Sequence, residues 1–225
     1  RVATVDRVAV ELAGAQDLPA IAARSLGLAQ AQAALLLGGL LGGAAVLWAL
    51  SRREGRTPDV LLGGIGIGAV IAAMWWVSGR LGFVAEDPNT LQEAFVATNS
   101  QRMESLSFVA PIAYTIDWLL FFSDKSKLLT IGIVSTIGVV VGSAAWALAS
   151  RSFRWEGFAN AEDTGNHLVG AVLMGVGGVT ALGCTIGQGI SGVSTLALGS
   201  FVALASIIGG AVLALRYQVW RIERA

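Results

Sequence analysis

Long uncharged apolar stretches alternate with short polar ones along most of the chain. The first, Leu26 to Leu50, reads LGLAQAQAALLLGGLLGGAAVLWAL without one charge. A helix crossing a bilayer needs about 20 predominantly apolar residues, so this stretch predicts a membrane span. The polar loop SRREGRTPD separates it from VLLGGIGIGAVIAAMWWVSG. That is a second span, closed by Trp75 and Trp76, whose rings suit the headgroup level. LLTIGIVSTIGVVVGSAAWALAS, Leu128 to Ser150, predicts another. Between these lies SFVAPIAYTIDWLLFF, which carries Pro111 and Asp117. Its length of about 16 residues leaves two readings open, a short crossing or a re-entrant segment buried against protein. Further on, the loop RSFRWEGFANAEDTGN precedes the short, glycine-laden HLVGAVLMGVGGVTALG. The polar CTIGQGISG then interrupts the pattern before the apolar VSTLALGSFVALASIIGGAVLALR. Two apolar segments thus flank a break.

The pattern predicts an all-α, polytopic membrane protein in which short or re-entrant helices meet at a central cysteine loop. Residues 1–25 mix charges with short apolar runs and predict a linker or an amphipathic segment lying at the interface. Residues 26–217 form the transmembrane domain, with about five to seven membrane segments. Residues 218–225 form a basic tail.

Composition agrees: 55% of the residues are hydrophobic and 13% charged, against about 25% charged in an ordinary soluble domain. Lys+Arg and Asp+Glu both number 15, so the basic footprint of a nucleic-acid-binding protein is missing. One cysteine and one histidine exclude an intrachain disulfide and supply too few ligands for a transition metal. Neither a metal nor an organic cofactor is expected, nor a metalloenzyme. The sequence lacks GxxxxGK[ST], so direct use of ATP by this chain is not indicated. Basic residues gather at 51–59, at 151–154 and in the tail, whereas 80–106 is mostly acidic. The positive-inside rule then puts the three basic regions in the cytoplasm, which requires that 107–122 not cross fully. Lys125 and Lys127 argue the other way.

Glycines recur four residues apart, as Gly38 with Gly42, Gly39 with Gly43, Gly64 with Gly68, Gly138 with Gly142 and Gly183 with Gly187. Small residues at this spacing let membrane helices approach closely, which is the expectation for all but the last pair. The last pair belongs to GCTIGQGISGVS, residues 183–194, which sets four glycines, several polar side chains and the only thiol inside an apolar stretch. Each Gly costs about 1 kcal/mol against Ala in a helix, so the backbone is expected to unwind here. Backbone groups freed within a bilayer need protein or a water-lined cavity to satisfy them, as at the broken helices of transporters. Successive amides in a glycine-rich turn also favour an anion. A binding site without a full charge suits a permease, where binding must be weak enough for release.

Cys184 adds a soft, weak S–H donor suited to sulfur. It donates only while protonated, the form that apolar surroundings favour. The plain alternative is that Cys184 serves as a small buried hydrophobe. The candidate solute-binding residues are Gly183, Cys184, Thr185, Gly187, Gln188, Gly189 and Ser191; none is assigned a catalytic role. Thr185, Gln188, Ser191 and Ser194 either donate to an anion or bond carbonyls of their own turn. Asp117 is a functional candidate if it lies at membrane depth, or an interfacial residue beside Trp118. His167 reads as interfacial or capping, with a proton relay the alternative. Trp48, Trp146, Trp155 and Trp220 fall near span ends and read as interface anchors.

LMGVGGVTALGCTIGQGISGVSTLALGS closely resembles the cysteine signature of the YeeE/YedE sulfur-transport family. SLSFVAPIAYTIDWL and the span ending in MWWVSG resemble two further family segments, and the likeness covers roughly residues 26 to 215. The resemblance implies two pseudo-symmetric halves with short helices dipping toward the membrane centre. It also implies cysteine thiols that pass thiosulfate along by transient S–H···S bonds. Cys184 would be the thiol of the C-terminal half, with Gly183, Gly187, Gly189 and Gly192 shaping its loop. The chain departs from the pattern in having no other cysteine and resembles little more than the C-terminal half; Arg1 in place of an initiator methionine reads as a fragment, a processed product or a trimmed sequence. An upstream half, another polypeptide or a second copy would then complete the pathway.

The resulting expectation is a permease of the bacterial inner membrane for thiosulfate or a related small sulfur-containing anion, with the lipid bilayer as its surroundings. The alternatives are a membrane sulfur-relay subunit, in which Cys184 forms a persulfide and hands sulfur to a cytoplasmic acceptor protein, and a non-catalytic anchor.

Overall fold

A computed structural model describes residues 17–87, 91–124 and 127–224. It is a multi-pass helical membrane protein, and among the described residues four helices are long and apolar enough to cross a bilayer, Gln30–Ser51, Pro58–Leu81, Ile131–Ala149 and Leu198–Arg224. The chain divides into two compact units, Arg1–Thr57 with Gly192–Ala225, and Pro58–Ser191.

In the first unit, α1 (Leu18–Leu26) is started by Asp17, whose carboxylate accepts the Ala20 N–H at 3.0 Å, and by a proline in the first turn. It ends at Gly27, whose φ of 66° suits glycine. Part of the stretch expected as a linker or interfacial segment is therefore a defined helix, and residues 1–16 lie outside the described ones. α1 packs on α2 (Gln30–Ser51). α7 (Leu198–Arg224) has 27 residues, about 40 Å at 1.5 Å per residue. The stretch read as a basic tail continues this helix through Arg224. Large apolar side chains such as Leu35, Leu47 and Leu213 are exposed, the inversion expected of a surface solvated by lipid tails.

The second unit begins with α3 (Pro58–Trp76), which runs into a π-helical turn, Val77–Leu81. A small antiparallel hairpin follows, Phe83–Val84 on Ala94–Phe95, with the Phe83 and Phe95 rings 5.4 Å apart. α4 (Val109–Leu120) has 12 residues, or about 18 Å, well short of a hydrocarbon core of about 30 Å. This geometry favours the re-entrant reading of 107–122. α5 (Ile131–Ala149) and α6 (Ala161–Thr180) complete the unit. α6 starts six residues before the apolar run expected to open at His167. Asn160 caps it by accepting the Asp163 N–H at 2.8 Å, and Glu162 and Asp163 complement the positive end of the helix dipole.

The repeated glycines do not behave as expected. At Gly38, Gly39, Gly42 and Gly43 within the first unit, and at Gly64, Gly68, Gly138 and Gly142 within the second, nothing described lies within 4 Å of where a Cβ would sit. The close approaches occur at Gly178, where a Cβ would meet Val109 Cγ2 at 2.7 Å, and at Gly132, where it would meet Pro111 Cγ at 3.1 Å. These contacts seat α4 between α5 and α6.

Candidate functional site

The site is built on segment 104–108, an irregular stretch fastened to α3. The Ser78 hydroxyl, fully buried, donates to the Glu104 carbonyl at 2.6 Å and accepts the Glu104 N–H at 3.2 Å. Ser105 donates to the Ile71 carbonyl at 3.1 Å. Leu106 joins Ile71 and Met74 in an apolar cluster, against which Phe108, Ile131 and Ile186 pack. This platform receives the cysteine turn. Ser191, buried, donates to the Leu106 carbonyl at 2.6 Å across 85 residues of sequence.

The break at 181–184 is the end of α6. The N–H groups of Ala181, Leu182 and Gly183 return to the carbonyls of Gly177, Val179 and Gly178, and Leu182 takes a left-handed φ of 54°. This is the closing geometry in which glycine usually takes the position that Leu182 holds. Gln188 stitches the break together: its Nε2 donates to the Ala181 carbonyl at 2.8 Å and the Leu182 carbonyl at 3.3 Å.

Beyond the break the expected unwound loop is not found. Residues 185 and 186 are helical and lead into a π-helical turn, Gly187–Gly192. Cys184 stands immediately before this short helix, and its Sγ accepts the Gly187 N–H at 3.3 Å. That is the position and bond of an N-cap, with sulfur in place of the usual hydroxyl or carboxylate oxygen. The backbone amides of Phe108, Ile186 and Val109 lie near enough to act on the same sulfur electrostatically, while Gly187 makes the hydrogen bond. Phe108 is the N-cap residue of α4 and makes no side-chain cap, so the first-turn N–H groups of α4 are left without one. Two helix starts, one on each side, therefore meet at one thiol. Burial acts against a charge on the sulfur and the four amides act for it. The half-buried thiol accepts the Gly187 N–H on a sulfur lone pair, and its S–H, when protonated, is a further donor.

The glycines permit this approach. A Cβ on Gly187 would lie 2.6 Å from Ser107 Oγ and 3.7 Å from Cys184 Sγ, and one on Gly183 would lie 3.0 Å from Gln188 Cγ. Thr185 is exposed at the start of the short helix, and Gly189 lies within the π turn. The structure thus gathers Gly183, Cys184, Thr185 and Gly187 at the thiol. Gln188 and Ser191 direct donors to backbone carbonyls and hold the turn in place. Sequence reasoning missed the amides of Phe108 and Val109, although SLSFV immediately precedes the proline of α4 and offers no capping side chain at Phe108. Asp117 lies near the end of α4, ion-paired with Lys127. Lys125 lies outside the described residues. His167 Nδ1 is 2.8 Å from the Asp163 carbonyl in the first turns of α6, exposed, with its ring tilted against Phe158.

A family model described as sulphur transport matches residues 41–213. The thiosulfate transporter TsuA of Escherichia coli (strain K12) is 33% identical over 109 residues, covering 48% of this chain. The aligned part spans 30% of that transporter's length. No solved structure matches the chain.

Proposed function

This chain belongs to the sulphur transport family, and from that premise we propose that it carries thiosulfate, or a related small sulfur-containing anion, across the bacterial inner membrane. The observation that carries the reading is that Cys184 caps one short helix beside the uncapped start of α4. Thiosulfate has a soft terminal sulfur and three hard oxygens, and the site offers a matching pair of donors. The thiol S–H serves the sulfur through a weak S–H···S bond, and the first-turn N–H groups of α4, which no side chain caps, serve the oxygens. Among the described residues no arginine or lysine acts on the thiol, so the anion is held by partial charges alone and released readily. Desolvation of the anion is offset by these dipoles, which are already oriented and need no reorganisation.

The solute enters from the side of the acidic 80–106 segment and leaves on the side of the basic loops, which gives inward transport. No covalent bond to the thiol is formed or broken in this scheme. The remainder of the pathway is supplied by an upstream half, another polypeptide or a second copy.

Uptake of radiolabelled thiosulfate into cells stripped of their own sulfate and thiosulfate importers tests the reading. The chain, in whatever length the gene encodes, is compared with its Cys184→Ala variant at equal membrane abundance. Uptake that falls to background in the variant is the expected result. Undiminished uptake by the variant overturns the role given to the thiol. Sulfur transfer to a cytoplasmic acceptor without thiosulfate entry would favour the relay reading instead.

A further inference from the structure

Within the second unit, the far end of α4 borders a cavity of about 250 Å³, lined by Asn99, Tyr114, Asp117, Trp118 and Lys127 among others. At about 30 Å³ per liquid water this is room for roughly eight waters. It falls below the 300–1,000 Å³ of drug-sized pockets, so it suits a small ion with part of its hydration shell.

The lining is rich in donors. Thr130 bonds Asn99 Oδ1, which leaves the Asn99 amide nitrogen to donate. Tyr114, Trp118 and Lys127, residue types that carry an O–H, an N–H and an ammonium, also line it. Lys127 is the only cation among the described lining residues, and Asp117 the only carboxylate. The two are ion-paired, with side-chain exposures of 36% and 43%. Half-exposed pairs of this kind contribute little stability and open at little cost. The hydrogen bond to Asp117 holds the Lys127 ammonium above its ordinary range, so the charge persists at any physiological pH. Phe121 supports the ammonium from its ring face, 5.7 Å away. Helix stability does not account for Asp117, because a carboxylate near a helix C-terminus meets the negative end of the dipole. A counter-ion role accounts for it.

We propose that this cavity is a separate binding station for a small divalent oxyanion, in which the solute takes the place of Asp117 on Lys127 and Asp117 reclaims the ammonium when the solute moves on. A lone lysine would hold a divalent anion too firmly; a lysine with a competing carboxylate holds it transiently. From Asp117 to Val109, beside the thiol, is eight residues of α4, about 12 Å. The cavity and the cysteine turn are thus two stops on one short helix. Its place as a step in transport rests on the reading above; the anion site itself does not.

The test compares Lys127→Gln, Lys127→Arg and Asp117→Asn. Thiosulfate uptake kinetics are measured in cells, and equilibrium binding of thiosulfate and of inorganic sulfate is measured on the purified protein in nanodiscs by calorimetry. Lys127→Gln is expected to raise KM at least tenfold with Vmax little changed, and Lys127→Arg to restore it. Asp117→Asn is expected to shift KM the other way, several-fold lower, with Vmax reduced because release slows. Opposite signs are the signature, since an ion pair serving structure alone would make both breaks act alike. KM shifts of the same sign, or none with Lys127→Gln, overturn the proposal. Where the wild-type chain takes up no thiosulfate, the transport reading fails by itself. The cavity assignment then stands if anion binding weakens in Lys127→Gln and tightens in Asp117→Asn, and falls if it does neither.

Discussion

Cys184 does two jobs that a single substitution can separate. As an N-cap it accepts the Gly187 N–H, and there oxygen is the better acceptor. As a solute ligand it offers a soft thiol that oxygen does not imitate. Cys184→Ser is therefore expected to keep or raise thermal stability, by about 0.5–1 kcal/mol at most, on the usual scale of N-cap effects. Thiosulfate uptake by the same variant should fall nearly as far as with Ala. A melting temperature that drops together with uptake would mean that the thiol is structural. Gly187 makes a complementary case. Its missing Cβ would sit 2.6 Å from Ser107 Oγ, so Gly187→Ala forces segment 104–108 and the cysteine turn apart. A cost of about 1–3 kcal/mol is expected, as for overpacking generally. Adding Ser107→Gly should return much of the stability and part of the uptake, as read by thermal denaturation and transport of the single and double variants. The sequence marked Cys184 and Gly187 as a pair through their setting in an apolar run. It gave no sign that Ser107, 80 residues earlier, would be the atom in contact, because nothing local encodes that meeting.

The legibility of each element tracks the origin of its stability. α2, α3 and α5 follow from apolar length alone: the expected spans at 26–50, 60–79 and 128–150 match Gln30–Ser51, Pro58–Trp76 and Ile131–Ala149 within a few residues. α6 was less legible, because its first turns carry Glu162, Asp163 and Asn166 and look like loop, yet Asn160 and the dipole stabilise them. The cysteine turn was misjudged for the opposite reason. Per-residue propensity predicts unwinding over four glycines, but long-range bonds from Gln188 to the end of α6 and from Ser191 to Leu106 reward a wound backbone. A π turn keeps the amides of 186 and 187 pointing one way, at the sulfur, where an irregular loop would scatter them. π turns of this type are frequent at functional sites. The second one, Val77–Leu81, carries Ser78, which fastens the platform below the thiol.

At the scale of the whole molecule, the short helix α4 decides which ends of the spans share a side. Within Pro58–Ser191, α3 and α5 each have the length and apolarity of a span, and α4, at 12 residues, does not. Two crossings return the chain to its starting side, so the beginning of α3 at Asp59 and the loop after α5 at Glu156 belong together, with Glu86 and Glu93 opposite. The charge pattern agrees, since Arg151 and Arg154 are basic where the 80–106 segment is acidic. Had α4 crossed, Asp59 and Glu156 would lie on opposite sides and the positive charge would be split between two compartments. Substituting cysteine singly for Asp59, Glu86, Glu93 and Glu156 in a Cys184→Ala background removes the native thiol and lets a membrane-impermeant maleimide report each side in intact cells and in inverted vesicles. Positions 59 and 156 are expected to label only in inverted vesicles, and 86 and 93 only in intact cells. Labelling of 59 and 156 from opposite sides would make α4 a full crossing. It would also put Lys127 on the side opposite Asn99, and so overturn the cavity at the end of α4, which the two residues line together.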